Sequence, residues 1–445
     1  MTKNIFIINS FRKSLFFLFY FPFILISCSQ KDDEITDLRN TIKQPEVIKN
    51  ISEEFILDSN NSSCTFFTYD NAGNPVVSWI SQNEKNEYEF YYSILTEENK
   101  FLEKKLINGS NQIKPNGENL PKVIFRNNGD VIAFWGIANP NPENQYSGLI
   151  LYSISKDKGL TWTTPEKISN DSLSIDQRYF SVAILPNGNV GAIWLDNRYK
   201  TSENGSSLFF AELDSTGKFI GEKIIAETVC ECCRTNITVS SDGKYNVTYR
   251  DIFQDSIRDI SYINSVDYGK SFSSPVRINA DNWVINGCPH TGPDVSVSGE
   301  LIKFVWHTLG NNKGILYSST SNFGKNFSTP LSISSNPTAK HQQLLSVNDK
   351  IDIIIWDETP LNSENKNSQI LLSIKNGEKF SKPVLISNEN MSATFPVLTK
   401  LNDNQILIAY TQSYKQTSES NHSNHSHSNN SSENSEVVYK MIDLN

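Results

Sequence analysis

The sequence predicts an all-β chain folded as a β-propeller of seven blades, and three observations carry that reading. Strand-like apolar runs end in an aromatic residue at Trp79, Trp135, Trp194, Tyr249, Trp306, Trp356 and Tyr410, at intervals of 50–59 residues. A turn of the form S-x-D-x-G-x-x-[WF] recurs as SKDKGLTW (155–162) and SVDYGKSF (265–272). It recurs again as TSNFGKNF (320–327), with Thr320 for Ser and Asn322 for Asp, and in degenerate form as SIKNGEKF (373–380). Most apolar runs also follow a turn such as PNGN, SDGK or NDNQ, and before that another strand. Four short strands in a period of this length are the signature of a propeller blade. Seven markers imply seven blades. Six blades is the rival if the first marker is misread. Two stacked β-sandwiches is the other, and the regular turns argue against it.

Taken in order, residues 1–27 lie outside the fold. Lys3, Arg12 and Lys13 precede SLFFLFYFPFILIS, an apolar run too short and too early for a stable spanning helix. It ends in Leu25-Ile26-Ser27-Cys28, which resembles the lipobox of bacterial lipoproteins and implies cleavage before Cys28 and lipidation of its thiol. An ordinary secretory signal is the alternative. The following SQKDDE resembles the signal that sends Bacteroidetes lipoproteins to the outer face of the outer membrane. Either signal places the folded chain outside the cytoplasm, where disulfides persist. Residues 28–50 are polar and aperiodic and read as a tether.

The propeller is expected over 51–445. In each turn, Asp caps backbone N–H groups, Gly takes a positive φ and the aromatic tucks under the blade. Gly269, Gly324 and Gly377 are 55 and 53 residues apart, and Gly159 precedes Gly269 by about two such periods. One turn has therefore decayed, near Gly217. Each turn glycine has a proline six residues on: Pro165, Pro275, Pro330 and Pro383. The last repeat has three obvious strands, so a strand near 47–51 is expected to supply the fourth and close the ring. A Ser/Asn-rich insertion at about 414–435 reads as a disordered loop. Its His422, His425 and His427 can bind copper or zinc weakly, or belong to a merely solvated segment.

The turns resemble the Asp-boxes of sialidase-like β-propellers. That resemblance implies that the 2–3 loops and the blade junctions open on one face, opposite the Asp-box hairpins. The rare residues then segregate on the first face. CECCR (230–234) joins blades 3 and 4, and NGCPHTGP (286–293) joins blades 4 and 5. Arg178 starts blade 3, Asp196 and Arg198 follow its second strand, and Arg250 and Asp251 follow that of blade 4. Arg258 and Asp259 begin the next strand, His307 follows Trp306, His341 starts blade 6, and Asp357 and Glu358 follow Trp356. Five of the nine arginines fall between 178 and 258. Arg126 and Arg277 do not obviously reach this face.

Two chemistries fit the cysteines. Disulfides, such as Cys288 with Cys232 or Cys233, would pin the two junction loops. Alternatively Cys230, Cys232, Cys233 and Cys288 form a soft-metal site for copper or zinc, completed by His290, His307 and His341. A reactive thiol is a third option. Cys64 has no assignable partner.

Clustered guanidinium groups suit a carboxylate or another anion. The resemblance to sialidases implies a three-Arg clamp, for which Arg198, Arg250 and Arg258 are candidates. It further implies an acid/base among Asp196, Asp251 and Asp259 and a Tyr nucleophile, Tyr249 or Tyr199. Against this, the R-I-P motif is absent near the first blade, where SCTFFTYD stands, and the blade count is seven where sialidases have six. Ion pairing of Arg with Asp across junctions is the plainer alternative. The composite CECCR, YRD, RD, W-x-x-x-G-C-P and G-P also resembles uncharacterised secreted bacterial proteins grouped as sialidase-like by their Asp-boxes. That brings no established activity.

Three functions follow. The first is a monomeric cell-envelope lipoprotein that touches the membrane only through its anchor and binds an acidic glycan or small anion at the Arg/Asp/Cys-rich face of blades 3 to 6. The second is an exo-sialidase or related glycoside hydrolase. The third is a copper- or zinc-binding protein. A net charge of −9 without a basic stripe argues against nucleic acid, and no glycine-rich phosphate loop opens a helix.

Overall fold

The computed structural model describes residues 47–142, 144–198, 205–361, 363–415 and 433–445. Cys28, Tyr199, His422, His425 and His427 lie outside them. The described residues form strands and turns with no helix, arranged as seven antiparallel sheets. This is the predicted seven-bladed propeller, and neither six blades nor two sandwiches.

Each of blades 1 to 6 is a consecutive meander. Blade 1 runs Ser63–Tyr69, Pro75–Gln82, Tyr88–Ile94 and Lys105–Leu106. Blade 2 has Lys122–Phe125, Val131–Ala138, Gly148–Ser155 and Glu166–Lys167. Blade 3 has Gln177–Ile184, Val190–Asp196, Ser206–Leu213 and Phe219–Val229, and blade 4 has Asn236–Val239, Tyr245–Arg250, Ile260–Ser265 and Val276–Arg277. Blade 5 has Asp294–Ser298, Leu301–Thr308, Gly314–Thr320 and Leu331–Ser334. Blade 6 has Lys340–Ser346, Ile351–Glu358 and Gln369–Asn376, edged by Lys379–Phe380 and Val384–Leu385. The first strand of every blade packs against the first strands of both neighbours, so seven inner strands ring the axis.

Blade 7 closes the ring. Ser392–Asn402, Gln405–Lys415 and Glu433–Leu444 are consecutive, and both Ile48–Ile51 and Phe55–Asp58 pair antiparallel with the last of them. The closing strand includes Lys49 and Asn50, so the stretch expected as tether (28–50) ends inside the propeller. The pairing covers the long edge of Glu433–Leu444, which would otherwise template aggregation.

The seven markers sit where the second strand crosses the core, each 1% exposed or less. Their polar tips need acceptors there, and carboxylates supply most of them. Trp79 donates to Asp58 at 3.0 Å, Trp194 to Asp196 at 3.2 Å, Trp306 to Asp281 at 2.7 Å and Trp356 to Glu358 at 2.7 Å. Tyr410 donates to Glu54. The core lies between blades: Phe134 and Tyr152 of blade 2 share one cluster with Phe180 and Trp194 of blade 3.

The turns close as expected. Ser155 Oγ donates to Asp157 Oδ1 at 2.8 Å, and Asp157 accepts the Thr161 N–H at 2.8 Å. Ser265 and Asp267 repeat this, with Asp267 accepting from Ser271 N, and Thr320 and Asn322 do so with Asn326. The residue before each glycine also has a positive φ: Lys158 at 60°, Tyr268 at 62° and Phe323 at 55°. The following aromatic packs on the third strand of the preceding blade. Trp162 meets Tyr92, Phe272 meets Phe210, Phe327 meets Tyr262 and Phe380 meets Tyr317. At the decayed turn near Gly217, Phe219 does the same to Tyr152 at 5.1 Å. The turn pattern faded there while the inter-blade contact stayed.

Candidate functional site

CECCR leaves the outer strand of blade 3 and returns to the axis to start blade 4. Its ends are fixed by backbone partners: Cys230 N–H donates to the Arg250 carbonyl at 2.8 Å, and Thr235 Oγ1 to the Tyr179 carbonyl at 2.7 Å. Gly292 of NGCPHTGP lies flat against it. A Cβ at that position would stand 2.1 Å from the Arg234 carbonyl oxygen, so the two junction loops pack backbone to backbone.

The fold brings three of the predicted cysteines together. Cys230, Cys232 and Cys233 are all buried, within the core cluster that also holds Tyr179, Tyr249 and Ile252. Cys230 Sγ lies 3.6 Å from Cys232 Sγ and 3.7 Å from Cys233 Sγ, and all three sulfurs fall within 4.8 Å of one another. Arg258 Nη1 donates to Cys230 Sγ at 3.2 Å. Hydrogen bonds from the Cys232 and Cys233 thiols, then the Arg258 and Arg250 guanidinium groups, hold Cys230 well below the usual thiol range. Donation to Cys230 and Cys233 pushes Cys232 up, and burial pushes Cys233 up to about 11. The cluster is therefore poised as one thiolate served by two thiols.

In this structure Cys288 is not bonded to Cys232 or Cys233, and no disulfide joins the described cysteines. All described cysteines are free, and 3.6 Å is far beyond an S–S bond of about 2.05 Å. Cys288 is exposed, near enough to Arg258 to act on its charge, and Cys64 is buried in a separate core with its thiol pushed up to about 11 by burial.

The three histidines do not join the cluster. His290 is exposed with φ 50°. His307 packs edge-on against Trp283 at 5.4 Å, and burial with the Arg250 charge lowers it to about 3, so its ring is neutral. His341 is held by Asp357, Nδ1 to Oδ2 at 2.6 Å, and stacks on Phe395 at 3.8 Å.

The expected arginine clamp is dismantled by protein partners. Arg250, 1% exposed, donates to the carbonyls of Arg258, Thr291 and His307 at 2.8–2.9 Å and lies over Trp283. It ties blades 4 and 5 together. Arg198 is buried among Asp171, Asp196 and Glu222 and covers Phe209. Only Arg258 stays partly exposed. The acid/base candidates are equally engaged. Asp196 accepts from Ser174, Trp194 and the Arg198 N–H; Asp251 from Thr228, Ser261 and the Ile252 N–H; Asp259 from Arg277 and the Asn282 and Trp283 N–H groups. Tyr249 is fully buried, no carboxylate is hydrogen-bonded to its hydroxyl, and burial holds it well above the usual phenol range. A Tyr nucleophile needs a carboxylate within hydrogen-bond reach; Tyr249 has none. Arg126 donates to the Leu213 and Asp214 carbonyls, away from the site, as expected.

Sequence reasoning placed His341 and, within CECCR, Arg234 on this face, but missed the charged groups beside them, Glu118, Lys122 and Asp294. Arg234 faces Glu118, Nε to Oε2 at 3.5 Å, and His341 Nε2 lies 3.4 Å from Glu118 Oε1. Glu118 and Arg234 also line a cavity of about 70 Å³, together with Phe66, Lys122, Phe180 and Asp294 among others. Lys122 Nζ donates to the Leu120 and Phe180 carbonyls, and burial lowers it to about 7. Burial raises Asp294 to about 6 and raises Glu118 as well. No motif flags these residues. The only signal is a charged side chain at the head of an inner strand.

One exposed cluster lies on the same face. The 2–3 loop of blade 2 presents Tyr146, 84% exposed, beside Leu173 and Ile175 of the following junction. Asn139 binds the Ile175 carbonyl and Asn144 binds Asp176. Asp176 holds Arg178 through both carboxylate oxygens, Nε at 2.6 Å and Nη2 at 2.7 Å, and Arg178 in turn feels Glu231 of CECCR. Arg178 is half-buried and keeps Nη1 outside that pair.

No family model matches the chain, and no curated protein does. Solved structures do. The BP39L lectin from Burkholderia pseudomallei has a TM-score of 0.52 at 11% identity, with 80% of this chain and 96% of the lectin covered. A PL25 ulvan lyase solved with -[GlcA(1-4)Rha3S]- has a TM-score of 0.53 at 9% identity, with 80% and 93% covered. The polysaccharide lyase Uly1 has a TM-score of 0.51 at 11% identity, with 89% and 100% covered. At these identities the likeness is one of fold.

Proposed function

We propose that this chain is a cell-envelope lipoprotein, held by a lipid on Cys28, whose propeller binds an acidic glycan on the face of the 2–3 loops and blade junctions. Tyr146, 84% exposed, carries the reading, with the partly buried Arg178 at the start of the neighbouring blade. A phenol ring offers an apolar face to sugar C–H groups, and a guanidinium pre-set by Asp176 offers N–H donors to a carboxylate or sulfate. Both stand on a closed ring that holds its loops still, and binding groups concentrate on such loops. The lectin and the ulvan lyase of like fold support a sugar ligand, and the -[GlcA(1-4)Rha3S]- bound to the lyase is an anionic one. Glycosidic cleavage is not favoured, because the predicted Arg, Asp and Tyr candidates are spent on protein partners.

The test is binding of the chain from Ser29 onward to arrays of uronic-acid, sulfated and neutral oligosaccharides, with Tyr146→Ala and Arg178→Ala as controls. Binding to acidic sugars that drops about tenfold in each variant, roughly 1.4 kcal/mol, is expected. Silence across the array, or binding indifferent to both substitutions, would contradict the reading.

A further inference from the structure

From the sulfur geometry we propose that Cys230, Cys232 and Cys233 form a binding site for one Cu(I) ion. This is independent of the glycan reading and concerns different atoms. The sulfurs are already spaced as ligands. Three thiolates bonded at about 2.3 Å to one ion stand about 4.0 Å apart in trigonal geometry and about 3.8 Å in tetrahedral geometry; the two separations from Cys230 are 3.6 and 3.7 Å, so the sulfurs need part by only a few tenths of an ångström. Three ligands from a four-residue stretch usually splay. Here the loop turns back on itself, and the packed backbones at Arg234 and Gly292 hold it closed.

The surroundings favour a soft monovalent ion. Thiolates select Cu(I), zinc or iron–sulfur clusters. Structural zinc takes four ligands, and among the described residues no fourth His, Cys, Asp or Glu belongs to this group. Arg258, bonded to Cys230 Sγ, occupies part of the remaining shell, and Arg250 runs behind it. Three thiolates around Cu(I) carry a charge of −2, which these two guanidinium groups balance. Three thiolates around a dication would carry only −1 and leave one of the two guanidinium charges unbalanced. Burial of all three sulfurs in an apolar core shields the ion from water and oxidant. The binding step moves no electron: Cu(I) enters as Cu(I), each sulfur bonds through a lone pair, and every thiol still protonated releases its proton to solvent. Cys288, exposed and close to Arg258, stands where an arriving ion would first meet a thiol.

The experiment loads the reduced chain from Ser29 onward with Cu(I) under anaerobic conditions, against bicinchoninate as competitor. One Cu(I) per chain is expected, with three sulfur neighbours at about 2.3 Å by X-ray absorption. Cys233→Ser and Cys232→Ser are expected to weaken binding at least about 100-fold, and Arg258→Met by about tenfold. Cys64→Ser should change nothing. Near-UV circular dichroism reports whether each variant stays folded, and Arg258→Met remains informative if a cysteine variant unfolds. Failure to take up Cu(I) with all thiols reduced would overturn the proposal. So would tighter retention of Zn²⁺ than of Cu(I), or an equal loss in Cys64→Ser.

Discussion

Arg250 reads from sequence as a ligand-binding arginine because it follows a strand, neighbours an Asp and shares a face with other arginines. Its environment gives it another task. Three carbonyl oxygens from two blades accept its N–H groups, and a tryptophan lies against its face. Arg250→Ala would leave those carbonyls unsatisfied in a dry site, and should cost about 3 kcal/mol or more by chemical denaturation. Arg178→Ala would leave the buried Asp176 carboxylate with only its Asn144 and Gly148 donors, and should cost less, about 1–3 kcal/mol. A backbone carbonyl carries no sequence signature, so this difference could not be read from residue types. Asp196 shows the same limit, since its partner Trp194 lies only two residues away and was read as a separate marker. Lys122 makes a pH prediction. Its folded value of about 7 lies below the ordinary lysine value of 10.5. Between pH 7 and 10 the unfolded chain therefore holds a proton that the folded one has lost. Stability contributed at this site should rise with pH over that window. Lys122→Met should flatten the rise in unfolding free energy measured from pH 7 to 10.

The element that distinguishes this propeller is the pair of junction loops, CECCR and NGCPHTGP. Gly292 allows their backbones to touch, and Gly292→Ala would drive a Cβ to 2.1 Å from the Arg234 carbonyl. The loops would have to part, at about 1–3 kcal/mol, and spread the three sulfurs. Thermal unfolding measures the first effect and loss of Cu(I) uptake the second. Strands and turns were legible because their signals are local. The spacing of Trp79 to Tyr410 located every blade, and the Ser–Asp–Gly turns located the hairpins. The address of CECCR at a blade junction followed from that count. Its interior did not, because which sulfurs converge depends on how a five-residue loop folds back. The inter-blade role of Phe219 was hidden too, since its turn had lost the sequence pattern that the other blades keep.

At the scale of the whole molecule, closure of the ring joins residues almost four hundred positions apart. Ile48–Ile51 and Phe55–Asp58 complete blade 7, Asp58 accepts from Trp79 and Lys104, and Glu54 accepts from Tyr410. A chain begun at Ser59 would expose the edge of Glu433–Leu444 and orphan those donors. Lower soluble yield and an earlier unfolding transition than in a chain begun at Gln44 are expected, read by differential scanning calorimetry. The closed ring fixes the elements on which both proposals rest: the proposed glycan surface at Tyr146 and Arg178, and the cysteine cluster within CECCR. The second rests on the sulfurs being free. The most direct measurement is a thiol count on the chain from Ser29 onward, exported to an oxidising compartment, isolated without reductant and denatured with a chelator present. The account predicts five titratable thiols, from Cys64, Cys230, Cys232, Cys233 and Cys288. Three thiols or one, with a disulfide mapped to CECCR, would contradict it.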